Sequence, residues 1–192
     1  NAAAYLKKEG YKKYTVNEIF EQGINFLENK FNTVYQFDAR KVPFKNHFNV
    51  ISLFDVIEHI DNDKLILGQV HKALKVNGKI ILTVPAHSLL WSHHDEEAGH
   101  KRRYSINQLK YKLQNSGYEI LYIRYIFSLL FPFYLIRSVI TNIGFERESV
   151  QDFKISKSLN AFLYNWAKVD YKLLSTLKFP FGGSIIAVAK KI

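Results

Sequence analysis

The sequence contains no cysteine, which excludes disulfide staples and thiolate metal sites and suits a reducing, cytoplasmic setting. It contains no methionine and opens on Asn1, as a fragment of a longer protein would. No apolar run approaches the roughly 20 residues that a membrane-spanning helix needs. The longest, YIFSLLFPFYLI from Tyr125 to Ile136, stops at 12 residues and carries Pro132. Glycine is scarce: nine in 192 residues, none in a G-x-G pattern, so the nucleotide-cradling loop that this pattern builds is not seen. Acidic residues are outnumbered, 17 against 27 Lys plus Arg, for a formal net charge of +10. That balance favours polyanionic neighbours, either nucleic acid or an anionic membrane face, and it equally fits a basic solvated surface.

What is present is a globular composition, 47% hydrophobic with 12 Tyr and 15 Phe, in a length that suits one domain. Strand and helix patterns alternate along the chain. NAAAYLKKEG (1–10) reads as a helix closed by glycine, and KKYTVNE as a short strand ending at Glu18. The next helix places Phe20, Ile24 and Leu27 on one face. TVYQF (33–37) is a second strand, followed by Asp38. NVISLF (49–54), apolar almost throughout, predicts a strand covered on both faces. Asp61 or Asn62 can cap a helix with the stripe Leu65, Ile66, Val70, Ala73 and Leu74, stopped by Asn77-Gly78. KIILTV (79–84) is a fourth strand. Ser105 and Gln108 form a capping box ahead of Leu109 and Leu113, and Gly117 marks that helix's end. YEILYIRY (118–125) and SIIAVAKK (184–191) complete the set. Repeated strand–helix–strand units predict an α/β fold with a mostly parallel sheet between helices.

Ligands of such sheets bind beyond the carboxyl ends of the strands. Glu18, Asp38, Phe54-Asp55 and the 85–105 loop all fall there. Two acids at the ends of successive strands suit a nucleoside, one taking ribose hydroxyls and the other meeting the base. The stretch WSHHDEEAGHKRRYS (91–105) concentrates histidines, acids and bases. His93, His94 and His100 lack a zinc-finger spacing, and Lys101-Arg102-Arg103-Tyr104 is too short for a nucleic-acid surface. A loop that closes over a small substrate is the third possibility.

From Phe54 the segment FDVIEHIDNDKLILGQVHKALKVNGKIILTVPA resembles class I S-adenosylmethionine-dependent methyltransferases, of the type 11/12/23-like group. The likeness runs from Glu18 and FDARKVPF to PFGGSIIAVAKK, and is nearest to bacterial enzymes whose loop reads Gly-His-Lys-Arg-Arg-Tyr. It implies a Rossmann-like sandwich with a final antiparallel strand, 184–189, inserted beside 118–125. It implies S-adenosyl-L-methionine as cofactor: Glu18 on its ribose hydroxyls, Asp38 and Ala39 at its adenine, Phe54 and Asp55 beside its methionine end. The family's glycine loop is missing here. The expectation is that it lies upstream of residue 1 with the first strand, and that 1–192 is one methyltransferase domain.

Methyl transfer asks for an acceptor in near-attack geometry and, for a hydroxyl, a base. His94, held by Asp95 or another acid, and His100 are the candidates, while Arg102, Arg103 and Tyr104 can fix an anionic group. Asp55, Glu58 and His59 would share one face of a helical turn. In some related methyltransferases a similar run joins a later histidine, here matched by His100, to hold a divalent ion. The favoured reading is structural, with Glu58 and His59 capping the next helix and bonding the 85–105 loop; which metal, if any, stays open. Residues 126–178 read as a helical lid or insert. SLNAFLYNWAKVDYKLLSTLK carries a stripe of Leu159, Phe162, Leu163, Trp166, Leu173 and Leu177, which suits a peripheral membrane contact or a packed lid. The acceptor is expected to be a small molecule or one linked to lipid or saccharide. An RNA methyltransferase and a non-catalytic Rossmann-like scaffold are the alternatives.

Overall fold

A computed structural model describes residues 10, 14–31, 33–142, 164–166, 168–170, 172, 177 and 179–192. Among them these strands and α-helices follow in the order β1 (Val16–Glu18), α1 (Glu21–Glu28), β2 (Val34–Gln36), β3 (Phe48–Phe54), α2 (Asp63–Ala73), β4 (Leu74–Pro85), α3 (His93–Glu97), α4 (Ile106–Gln114), β5 (Tyr118–Ile126), α5 (Phe131–Asn142) and β6 (Ser184–Lys191). Residues 1–9, where the first helix is expected, lie outside the described residues, as do Leu159, Phe162, Leu163 and Leu173.

The strands form two sheets. β1 pairs with β2 in parallel, and the other four stand in the order β3-β4-β6-β5. β3 and β4 are parallel, from Val50 opposite Lys79 to Phe54 opposite Thr83. β6 runs antiparallel to both its neighbours, with Ile81 opposite Val188 on one side and Ile123 opposite Ala187 on the other. The late strand therefore enters between two earlier ones, as the family resemblance implies.

Period-2 alternation fills the core from the sheet. Ile80, Leu82 and Val84 of β4 and Ile185, Ala187 and Ala189 of β6 are buried, and they meet Ile66, Leu67 and Val70 of α2 and Leu109 and Leu113 of α4 in one cluster. Each fully buried Leu or Ile stabilises the fold by about 1.5–3 kcal/mol. Tyr118 closes the layer by donating from its hydroxyl to the Leu67 carbonyl at 3.0 Å.

Helix starts follow local signals. Asn62, not Asp61, caps α2 by accepting from Leu65 N at 3.1 Å. At α4, Ser105 Oγ accepts from Gln108 N while Gln108 Oε1 accepts from Ser105 N. Three side-chain expectations need correcting. On α2 Leu67 is buried together with Ile66, Val70 and Ala73, while Leu65 faces out. Phe20 is exposed at the N-cap of α1, outside the helix proper. β3 is not covered on both faces: Val50 and Phe54 are 48% and 42% exposed on one face, while Ile51 and Leu53 on the other pack against the core.

Candidate active site

Beyond the carboxyl ends of β3 and β4 the chain makes two sharp departures. Asp55 leaves β3 with φ 52°, its amide still donating to Thr83 O at 3.1 Å. A single 3-10 turn, Ile57–His59, follows in place of the helical turn expected there. Beyond β4 the 85–105 loop folds back on the strand it has left. Tyr104 N donates to Pro85 O at 2.9 Å, His87 N to Tyr104 O at 2.9 Å, and Lys101 N to Glu58 O at 2.8 Å. The loop is thus fastened to both β4 and the 57–59 turn.

An open cavity of about 360 Å³ lies at this junction, lined by Asp55, Glu58, Pro85, His100, Arg103, Tyr134, Gly183 and Ser184. Its polar wall is organised by Asp95 of α3, which is 1% exposed. Asp95 Oδ1 accepts from His100 Nδ1 and from Arg103 Nε, both at 2.8 Å. Asp95 Oδ2 accepts from Ser92 N at 2.9 Å. Burial alone would push this carboxyl up, but the hydrogen bonds from Arg103 and His100 outweigh it and hold it below the usual range. An ionised Asp95 fixes the imidazole with its proton on Nδ1 and its lone pair on Nε2. Arg103 also donates from Nη1 to Ala86 O at 3.2 Å.

Glu58 is the residue that sequence reasoning left out of the catalytic set. It is fully buried, and neither carboxylate oxygen hydrogen-bonds to another residue. Burial, reinforced by the charge of Asp55, pushes its carboxyl up to about 7 against a smaller opposing backbone hydrogen bond. His59 Nε2 stands 4.0 Å from its Oε1, and the His59 and His100 rings meet edge-on at 4.8 Å between centroids. The signal was there in the spacing of Glu58, His59 and His100; its burial was not.

The other expected residues fall in distinct places. Asp95 orients His100 rather than His94, whose Nδ1 lies 3.4 Å from Glu97 Oε2 without hydrogen-bonding geometry, and His94 does not line the cavity. Tyr104 is buried and donates to Asp63 Oδ2 at 2.8 Å. Arg102 donates to Asp63 Oδ2 at 3.2 Å and to Asp61 O at 2.8 Å. Both are therefore spent on the fold, and of the GHKRRY residues His100 and Arg103 face the cavity. Glu58 and His59 do not cap α2, since Asn62 does so.

The acids for the nucleoside lie on the β1–β2 pair. Glu18 Oε1 accepts from the amides of Ile19 and Phe20 at 2.7 and 3.0 Å. Only Oε1 is so engaged, leaving Oε2 able to meet a hydroxyl. A Cβ on Gly23 would come within 2.6 Å of Glu18 Cγ, so glycine there makes room for this carboxylate. Asp38 is two residues past β2, and its oxygens accept from Arg40 N and Nε at 2.8 Å. That partner holds its carboxyl below the usual range. Ala39 packs against the core and Phe54 is exposed beside Asp55. Carboxylates at the ends of two paired strands can accept from ribose hydroxyls and from the amino group of a purine, so these residues fit the cofactor.

The parallel sheet closed by an inserted antiparallel strand, with its cavity beyond the strand ends, defines the Rossmann-like fold of class I, S-adenosylmethionine-dependent methyltransferases. A family model described as "Methyltransferase domain" matches residues 1–123, and the chain belongs to that methyltransferase family. Solved structures share the fold. An S-adenosylmethionine-dependent methyltransferase from Archaeoglobus fulgidus is 20% identical with a TM-score of 0.61, over 99% of this chain and 80% of that one. Phosphoethanolamine N-methyltransferase 2 from Haemonchus contortus, solved with S-adenosyl-L-methionine, is 17% identical with a TM-score of 0.60, over 98% of this chain and 45% of that one. The [4+2]-cyclase SpnF is 15% identical with a TM-score of 0.61, over 98% of this chain and 70% of that one. At these identities the likeness is one of fold, and the cyclase's name shows that the fold alone does not fix the reaction. No curated protein matches the chain. Among the described residues no helix is long and apolar enough to cross a membrane.

Proposed function

We propose that the protein transfers the methyl group of S-adenosyl-L-methionine to a small polar acceptor carrying a hydroxyl, seated in the cavity between Asp55 and His100. The observation that carries this reading is the polar wall of that cavity: a buried Glu58 that hydrogen-bonds to no other residue, beside a His100 whose tautomer is set by Asp95. In the proposed arrangement Glu18 takes the ribose hydroxyls, Asp38 and Ala39 meet the adenine, and Phe54 and Asp55 flank the methionine end. The cofactor supplies an electrophilic methyl on sulfonium. The chain holds the acceptor oxygen in line with it, with Arg103 beside His100 to meet an anionic group of the acceptor. Tyr134 of α5 lines the same cavity, which supports 126–178 as a lid within a single 1–192 domain.

A lipid-linked acceptor is the second reading. It is favoured by Phe133, Ile136 and Val139, which stand exposed at i, i+3 and i+6 on α5, next to the cavity-lining Tyr134.

The test has two parts. Calorimetry with S-adenosylhomocysteine is expected to show micromolar binding, weakened at least tenfold by Asp38→Ala. Methyl-labelled S-adenosylmethionine is then offered with pooled small hydroxylated acceptors, with pooled amines, with RNA and with lipid vesicles. Label in the hydroxylated pool supports the leading reading. Label in lipid alone moves the second reading ahead, and label in RNA alone overturns both. Absence of cofactor binding returns Glu18 and Asp38 to ordinary strand-end acids.

A further inference from the structure

The cavity lies beyond the carboxyl ends of β3 and β4, and the opposite end of the sheet is strongly basic. There β3 and β4 begin at Phe48 and Leu74, and β6 ends at Lys191. Hydrogen bonds draw the three segments together. Asn46 N donates to Lys72 O at 2.9 Å and His47 N to Ala73 O at 2.8 Å, while Lys191 Nζ donates to Asn46 Oδ1 and Leu74 O at 3.1 and 2.8 Å. Residues 44–50, 71–79 and 187–192 bring Lys45, Lys72, Lys75, Lys79, Lys190 and Lys191 to this end, and no acid.

Of these lysines, only Lys190 has a carboxylate partner among the described residues, with Nζ 2.7 Å from Glu119 Oε2. Lys75 and Lys191 bond to neutral oxygens, the first to Asn49 and the second to Asn46 and Leu74. Lys72 stands in the last turn of α2, with the negative end of the helix dipole for company. Lys45 and Lys79 are exposed, and Lys79 is directly opposite Lys190 across the β4–β6 pair. Like charges so placed repel, and an anionic chain laid over them removes that cost. The patch also holds an aromatic step. The exposed His47 ring stacks on Phe44 at 4.9 Å between centroids and 29° between planes, and Phe48 meets both edge-on. Lysines around an exposed ring are the combination that single strands bind, phosphates on the cations and a base on the aromatic face.

We propose that this end of the sheet binds a single-stranded nucleic acid, with phosphates on Lys45, Lys72, Lys75 and Lys79 and a base stacked on His47. A bilayer is the poorer partner, because it takes up charge and apolar anchors on one face. Here the exposed Phe133, Ile136 and Val139 belong to α5, whose Tyr134 lines the cavity at the other end. From Lys79 to Pro85 β4 spans roughly 20 Å at about 3.3 Å per residue. That exceeds the screening length of about 8 Å at physiological salt, so the bound strand and the cavity act independently. The nucleic acid is held as a tether and not as the methyl acceptor, and the proposal does not rest on the methyl-transfer reading.

The experiment follows the fluorescence anisotropy of a labelled oligouridylate of about 16 nucleotides, with neither cofactor nor acceptor present. A micromolar Kd is expected at about 50 mM salt, and log K should fall against log[salt] with a slope of about −3, four phosphate contacts at about 0.7 each. Lys45→Ala/Lys79→Ala should weaken binding about tenfold or more and bring the slope to about −1.5. Lys64→Ala/Lys110→Ala removes the same charge from exposed positions on α2 and α4 and should bind within about twofold of the parent. His47→Ala should weaken binding about tenfold and His47→Phe restore it, a pattern that charge alone does not produce. Circular dichroism checks that each variant is folded. Absence of salt-dependent binding overturns the proposal. So do equal losses in the two lysine pairs, which would mark net charge alone, and full affinity in His47→Ala. Tighter binding to phosphatidylserine vesicles than to the oligouridylate, lost in Lys45→Ala/Lys79→Ala, would overturn it in favour of a membrane.

Discussion

Asp63→Asn probes how the loop is fastened to the sheet. Asp63, the first residue of α2, is 3% exposed and accepts from three donors on distant segments. Oδ2 takes the Tyr104 hydroxyl and Arg102 Nη1 at 2.8 and 3.2 Å, and Oδ1 takes Lys112 Nζ at 2.8 Å. Asparagine keeps one acceptor oxygen and turns an NH₂ group toward a donor. A hydrogen bond to a charged group contributes about 1.5–3 kcal/mol, and removing one partner of a buried pair costs about 3–5. With Arg102 and Lys112 each about a third open to solvent, the lower end applies, a loss of about 3 kcal/mol. In urea, with a slope of about 2 kcal/mol/M, the unfolding midpoint should fall by about 1.5 M at pH 7. The pH dependence supplies a second check. Burial pushes this carboxyl up, but Lys112, Tyr104 and Arg102 outweigh it, so its folded pKa lies below the ordinary 3.8. Its contribution is full above that value and is lost as pH falls through the folded pKa. Asparagine does not titrate, so the gap between the two proteins should be constant near neutrality and narrow below pH 3.8. A gap under about 1 kcal/mol at pH 7, or one that widens in acid, refutes the assignment.

Gly117→Ala should destabilise by about 1–2 kcal/mol, read as a lower urea midpoint, because φ 84° strains any side chain and the new Cβ would stand 2.8 Å from His71 Nε2. Leu109→Ala empties a fully buried position between α4 and the sheet and should cost about 3 kcal/mol by the same assay. A loss below 1 kcal/mol would mean that α4 is not packed as described.

Features set by neighbours in sequence were legible before any fold was known. The Ser105–Gln108 box needs only a spacing of three, and it stands in the structure as read. Glu18, Asp38 and Asp55 could be placed beyond strand ends for the same reason. The inserted position of β6 was implied by resemblance and not by pattern, since no local property of SIIAVAKK names its partners. What tertiary structure alone decided lies in contacts across long stretches of chain. Tyr104 and Arg102 looked like substrate ligands until Asp63, some forty residues earlier, claimed them. Asp95 was read as holding His94, and the turn at Gly99 brought round His100 instead. Glu58 read as a helix cap because sequence carries no mark of solvent access. Only the closing of the 85–105 loop over the 57–59 turn takes water away from that carboxylate, and desolvation turns an ordinary glutamate into a demand for a partner.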